Sequence, residues 1–237
     1  MSVSLFEVTF GNLNDTMMEK ISNAGNGMYA MISSADHAVS YAHNDLWNTA
    51  NLIAKDVKIQ VQFDPEQVLA YRLIGYENRN LADEDFDDAT VDAGEVGSGH
   101  SVTALYEVVQ VGQTIPQPEG APEPLTEETT IESLTRINSW VRVRVRYKSV
   151  QADDAAPSLE IVAEPSGDTA TRPLTEASTD LQWAAAVAAF AELLKGSPYS
   201  SIGHLETIEA LVTANVGTAP DRQEFAALFS KAQTLLP

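Results

Sequence analysis

The chain has 237 residues, with 34 acidic and 14 basic side chains, for a formal charge of −20. Phosphate backbones and anionic lipid surfaces are held mainly by Lys and Arg, so this balance excludes nucleic acid as an expected partner and leaves cations and basic proteins open. A 44% hydrophobic content is that of a globular chain rather than an acidic tail, and zero cysteines remove any disulfide framework, thiolate metal site or cysteine nucleophile.

No basic segment followed by an apolar run and a small-residue cleavage site opens the sequence, and no stretch approaches 18 consecutive apolar residues. Instead the chain begins inside a strand pattern over residues 3–10, as expected either of a fragment or of a first strand that is the natural edge of a small sheet. Gly11 then leads to Asn14 or Asp15 as the N-cap of a helix carrying Met17, Met18 and Ile21, and Gly25-Asn26-Gly27 closes it. A short apolar strand, MYAMI at 28–32, follows. Ser33 or Ser34 caps a second helix with Ala38, Tyr41, Ala42, Leu46, Ala50 and Ile53 on one face. This β-α-β-α order is the grammar of a parallel sheet covered by helices.

From Lys55 the period changes to two. Val57, Ile59, Val61 and Phe63 alternate with Lys58, Gln60 and Gln62, predicting a strand with an apolar buried face and a polar wet one. Residues 69–78 and 100–111 read as further strands. Between them lies an acidic, glycine-spiked stretch. The run 114–130 holds four prolines and no core-forming period, so it is expected to be an exposed loop. WVRVRVRYK at 140–148 alternates Val141, Val143, Val145 and Tyr147 with Arg142, Arg144, Arg146 and Lys148, and 157–165 is a plausible partner strand. Three helices finish the chain. The first starts at Ser178 or Thr179 and stops at Gly196, with Trp183 and Phe190 seven apart on its core face. The second carries Leu205, Ile208, Leu211 and Val212. The third opens on Pro220-Asp221 and carries Phe225, Leu228 and Phe229.

Two of these segments resemble known families. FGNLNDTMMEKISNAGNGMYAMISSADHA resembles the last strand-helix-strand-helix of a von Willebrand factor type A (VWA) domain. The stretch from KDVKIQVQF to ALYE, covering residues 54 to 110, is similar to the region of unknown function that follows such domains in bacterial proteins. The basic strand and the last helices match it more loosely. The VWA metal-ion-dependent adhesion site uses an Asp-x-Ser-x-Ser loop from an earlier part of that fold. No such motif occurs in this chain, and Mg²⁺ needs several oxygen ligands in near-octahedral order, so the resemblance carries no metal site onto any residue here.

Candidate sites are few. The run Asp83, Glu84, Asp85, Asp87, Asp88, Asp92 and Glu95 fits an EF-hand at positions 1, 3 and 5, but has Asp88 where the glycine belongs and Gly94 in place of the closing glutamate. A solvated acidic loop is the simpler reading. The Arg142, Arg144, Arg146 and Lys148 face suits either an acidic partner or an internal ladder to acids on neighbouring strands, and the abundance of Asp and Glu favours the ladder. His37, His43, His100 and His204 lack metal spacing, and His37 and His43 fall on different faces of their helix. His100 has Ser98 and Ser101 beside it but no nucleophile elbow, and Gly94, Gly97 and Gly99 suit tight turns. Trp140 and Tyr147 suit either a packed or an exposed strand face.

The expected fold is α+β. Residues 1–53 are a remnant of a VWA-like α/β domain, 54–165 an antiparallel β-sandwich, and 166–237 a C-terminal helical subdomain. The expected function is a non-enzymatic protein-interaction or adhesion-type module with an unidentified protein partner, no cofactor, and no catalytic, cofactor-binding or metal residues. An open sheet edge would also allow a homodimer. By resemblance, the full-length protein belongs to the cell envelope or periplasm. The alternative is a Ca²⁺- or Mg²⁺-binding domain, or a metal-dependent hydrolase, built on the 83–95 loop.

Overall fold

A computed structural model describes residues 4–8, 14–25, 27, 29–32, 34–76, 81–91, 93–124, 137, 139–153, 155–165 and 172–236. The fold is α+β. Its strands are β1 (Leu5–Glu7), β2 (Tyr29–Met31), β3 (Leu52–Phe63), β4 (Val68–Ile74), β5 (Gly94–Gly97), β6 (Leu105–Gln110), β7 (Val141–Lys148) and β8 (Leu159–Ala163). Its helices are α1 (Asp15–Ala24), α2 (Ala35–Ala50), the single turn α3 (Asp83–Phe86), α4 (Thr179–Lys195), α5 (Leu205–Asn215) and α6 (Pro220–Gln233). Among the described residues, no helix is long and apolar enough to cross a membrane. The chain divides into two compact units, each assembled from separate stretches of sequence.

The first unit comprises Met1–Val61, Leu81–Val102 and Val143–Ala163. β1 and β2 pair in parallel, Leu5 opposite Tyr29, as the β-α-β-α grammar requires. Asn14 Oδ1 accepts from the Met17 amide at 3.1 Å and Ser34 Oγ from the His37 amide at 3.0 Å, so both predicted caps satisfy a first-turn donor. Residues 3 and 9–10 of the expected first strand, Gly11, Asn26, Met28 and Ser33 lie outside the described residues.

A four-stranded sheet follows, in the order β5-β3-β7-β8, with β3–β5 and β7–β8 antiparallel. β3 is longer than its alternation predicts and takes in Leu52 and Ile53, which the helical spacing had assigned to α2. The extension passes through Asp56 at φ 52, a left-handed conformation that Asp tolerates better than most residues. β5 was missed because its sequence, GEVG, reads as turn material.

The second unit comprises Gln62–Asn80, Thr103–Arg142 and Glu164–Pro237. β4 and β6 form an antiparallel ladder from Val68–Gln110 to Ile74–Leu105. The rings of Tyr71, Tyr106 and Trp140 gather around Phe63 at centroid distances of 4.7, 5.5 and 6.1 Å, so Trp140 is packed. The Pro-rich run has no regular structure through residue 124, and its remainder to 130 lies outside the described residues.

The helices form the main core of this unit, with Ala186, Phe190, Ile208, Val212 and Phe229 buried and Trp183 and Phe225 packed against them. Ser178 Oγ accepts from the Leu181 amide to cap α4, and Gly196 at φ 72 ends it in the left-handed conformation. Arg72 on β4 holds Glu107 on β6 and Glu192 on α4, and its guanidinium lies 4.1 Å from the centre of the Tyr199 ring. Burial pushes the Glu192 carboxyl up, but hydrogen bonds from Ser197 and Arg72, with the fields of Arg72 and Lys195, outweigh it and hold the group below the ordinary range.

Candidate functional site: a basic strand face closed by an acidic loop

The two charge concentrations in the sequence meet within the first unit. On β7, Arg144, Arg146 and Lys148 share one face with Lys58 and Gln60 of β3, as alternation dictates, and residues 85–89 lie against it. Phe86 anchors the loop. It is 3% exposed, and the Arg144 and Arg146 guanidinium carbons lie 4.7 and 5.9 Å from its ring centre.

Charge pairing completes the closure. Asp87 Oδ1 accepts from Arg146 at 2.6 Å and from Arg144 at 3.2 Å, while Glu160 on β8 accepts from Arg144 at 3.0 Å. The Glu160 hydrogen bond is the leading cause that raises the Arg144 pKa. Burial opposes it, and the Glu160 and Asp87 charges add to the rise. Lys148, 2% exposed, donates to the Ala89 carbonyl at 2.8 Å and pairs with Asp56 at 2.9 Å. In the second unit, Arg142 pairs with Glu164. The basic strand is thus an internal ladder, with the acidic loop as a second partner beside the acids of the neighbouring strand.

Lys58 is the cation that the acidic loop closes on. Its ammonium, on a side chain 6% exposed, donates to the backbone carbonyls of Asp85 and Asp88. Two backbone carbonyls of the acidic loop are thus satisfied by a cation that is covalently part of the chain. Asp88 turns its carboxylate to the Thr90 hydroxyl and amide, and those hydrogen bonds hold it below the ordinary range. Among the described residues, no group of three or more His, Cys, Asp or Glu is arranged to hold a metal. The Asp83 and Glu84 side chains and Asp92 lie outside what is described.

The histidines are not brought together. His37 lies edge-on to Tyr41 in α2, and His43 is exposed on the same helix. His100 Nδ1 accepts from the Gly97 amide at 3.4 Å, which ties the turn after β5, and His204 Nδ1 accepts from the Ser201 amide to complete a capping box at the following 3₁₀ turn.

At two adjacent positions of β3 burial runs against the alternation rule. Lys58, on the nominally wet face, is buried beneath the loop, whereas Ile59, on the nominally inner face, is 49% exposed. The same exposed side continues on β8, where Leu159 and Ile161 are 54% and 55% exposed opposite Tyr147 and Val145. Sequence reasoning missed Lys58 and Phe86. The available signal was a single large apolar residue inside the acidic run DEDFDD.

Comparison with known proteins locates the chain. A family model described as "Uncharacterized protein YfbK, C-terminal" matches residues 48–235. "Uncharacterized protein YfbK" of Escherichia coli (strain K12) is 32% identical over 235 residues, which cover 98% of this chain and 39% of that protein. No solved structure matches.

Proposed function

This chain belongs to the YfbK C-terminal family, and on that premise we propose that it acts as a non-enzymatic protein-interaction module of adhesion type. In this reading it forms the C-terminal part of a bacterial cell-envelope protein with a VWA domain. The parallel β1–β2 pair with α1 and α2 supports the VWA remnant, because it reproduces the β-α-β-α end of that fold.

The observation that carries the proposal is the apolar sheet face. Ile59 on β3 and Leu159 and Ile161 on β8, the strands that flank β7, are about half exposed, while the charged face of the same sheet is closed by its own loop. Grouped exposed aliphatic residues mark an interaction surface more often than scattered ones do. A divalent-cation role for the 83–95 loop draws less support, because Lys58 already takes the carbonyls of Asp85 and Asp88.

The test compares wild type with Ile59→Ser in binding to bacterial envelope extracts, with melting temperature as the control for folding. The reading expects a protein retained by wild type and lost from an Ile59→Ser variant that still folds. Equal retention by both, or turnover of a substrate without a bound protein, overturns it.

A further inference from the structure

The two edges of the four-stranded sheet are built differently. β5 has four residues, two of them glycine, and its register against β3 shifts twice, between Leu52 and Ala54 and again between Ala54 and Val57. Short length, glycine and irregular pairing are the devices that blunt an edge against further pairing. β8 lacks the glycine and the broken pairing, although at five residues it is only one longer than β5. Its five residues, LEIVA, pair with β7 in unbroken register from Tyr147–Leu159 to Val143–Ala163, every one is exposed, and β8 ends the sheet order among the described residues. Its single charge, Glu160, is already answered by Arg144.

We propose that β8 is a self-association edge, on which a second copy of this chain adds its own β8 antiparallel, about a two-fold axis through Ile161. This deepens the interaction-module reading and rests on it. The register follows from charge and from face. Directly opposed residues in an antiparallel pair lie on the same face, so both apolar faces stay on one side only if the paired numbers have an even sum.

Three such registers keep β8 near its own centre. Centring on Glu160 sets two Glu160 side chains against each other, and centring on Val162 sets Glu160 against Glu164. Like charges directly opposed are destabilising. Centring on Ile161 sets Leu159 against Ala163, Glu160 against Val162 and Ile161 against itself. That register alone extends the Ile59–Val145–Ile161 face across the axis without opposing like charges.

The absence of native cysteine makes a clean test. In mild oxidant, Ile161→Cys forms a disulfide-linked dimer several-fold faster than Ile59→Cys, whose exposure is similar but whose strand is internal to the sheet. Leu159→Cys cross-links efficiently only when mixed with Ala163→Cys. Light scattering on the unmodified chain is expected to give a dimer that strengthens with added salt, since two chains of charge −20 repel until screened. Ile161→Lys, which opposes two ammonium groups at the axis, weakens association at least about tenfold with an unchanged circular dichroism spectrum.

A monomer at all salt concentrations, or equal cross-linking at positions 59 and 161, overturns the self-association edge. Those results do not touch the wider reading, whose own test is loss of a bound protein on Ile59→Ser. Saturable binding of an extended apolar peptide to a strictly monomeric chain would instead assign the β8 edge to a foreign strand and likewise overturn self-association.

Discussion

Lys148 and Asp56 are joined by a 2.9 Å ion pair in which the ammonium side chain is 2% exposed and the aspartate backbone stands at φ 52. The conformation that suits few residues and the charge that answers a buried cation fall on the same residue. Removing one partner of a buried pair leaves the other uncompensated, which typically costs about 3 to 5 kcal/mol. Lys148→Met is expected to lower unfolding stability by an amount near the lower end of that range, because Asp56 retains some access to water. Asp56→Asn, which still tolerates the left-handed backbone, costs less than Asp56→Ala. Urea denaturation of the three variants checks the order.

Lys58 makes a second prediction about metal. Titration with Ca²⁺ or Mg²⁺ at millimolar concentration is expected to give no binding heat from the 83–91 loop and no rise in melting temperature, because the carbonyls of Asp85 and Asp88 already receive an ammonium. Lys58→Met removes two charge-assisted hydrogen bonds, each worth about 1.5 to 3 kcal/mol at most. The expected readout is faster hydrogen exchange confined to residues 83–91. A calcium-induced rise in melting temperature for the wild-type protein would contradict this account.

These two lysines also mark where sequence reading ran out. The helical caps at Asn14, Ser34 and Ser178, the stop at Gly196 and the alternation on β7 are local signals, and each is realised. Which face of β3 is covered depends instead on a loop more than twenty residues away. Alternation assumes that burial follows hydrophobicity, yet Phe86 and the carbonyls around it bury the Lys58 face and leave Ile59 in water. The carboxylates of Asp87 and Asp88 are solvated, as the acidic run predicts, but the pairing of that loop with β3 and β7 was not legible. Its net charge was visible, but the cations that answer it lie on strands far along the chain.

Glu192 gives the second unit a defined response to acid. Its folded pKa lies below the ordinary carboxylate value, so its contribution to stability is full above the unfolded pKa of about 4.3 and is lost as pH falls through the folded value. Glu192→Gln is expected to cost about 2 kcal/mol near neutrality, a figure for a charge-assisted hydrogen bond, and progressively less below about pH 4. Stability measured against pH for the two proteins should converge in acid. Parallel curves would show that the Arg72–Glu192 pair is not coupled to folding.

Gly196 isolates a backbone effect from packing. Nothing lies within 4 Å of a methyl group placed there, so Gly196→Ala meets no clash and carries only the strain of φ 72. The expected loss is about 1 to 2 kcal/mol, with Gly196→Asn milder because Asn visits the left-handed region more readily. Thermal unfolding resolves the difference. A larger loss for Asn than for Ala would mean that something other than backbone strain governs this position.

The contrast between the blunted β5 and the smooth β8 bears on how far assembly can proceed. A strand that pairs with its own copy about a two-fold axis consumes the interface on both molecules at once, so growth terminates at two. What remains exposed at either end of the joined sheet is β5, with its glycines and broken register. The same asymmetry that permits one association therefore disfavours open-ended stacking of sheets into fibres, and concentrated solutions should reach a limiting mass rather than gel.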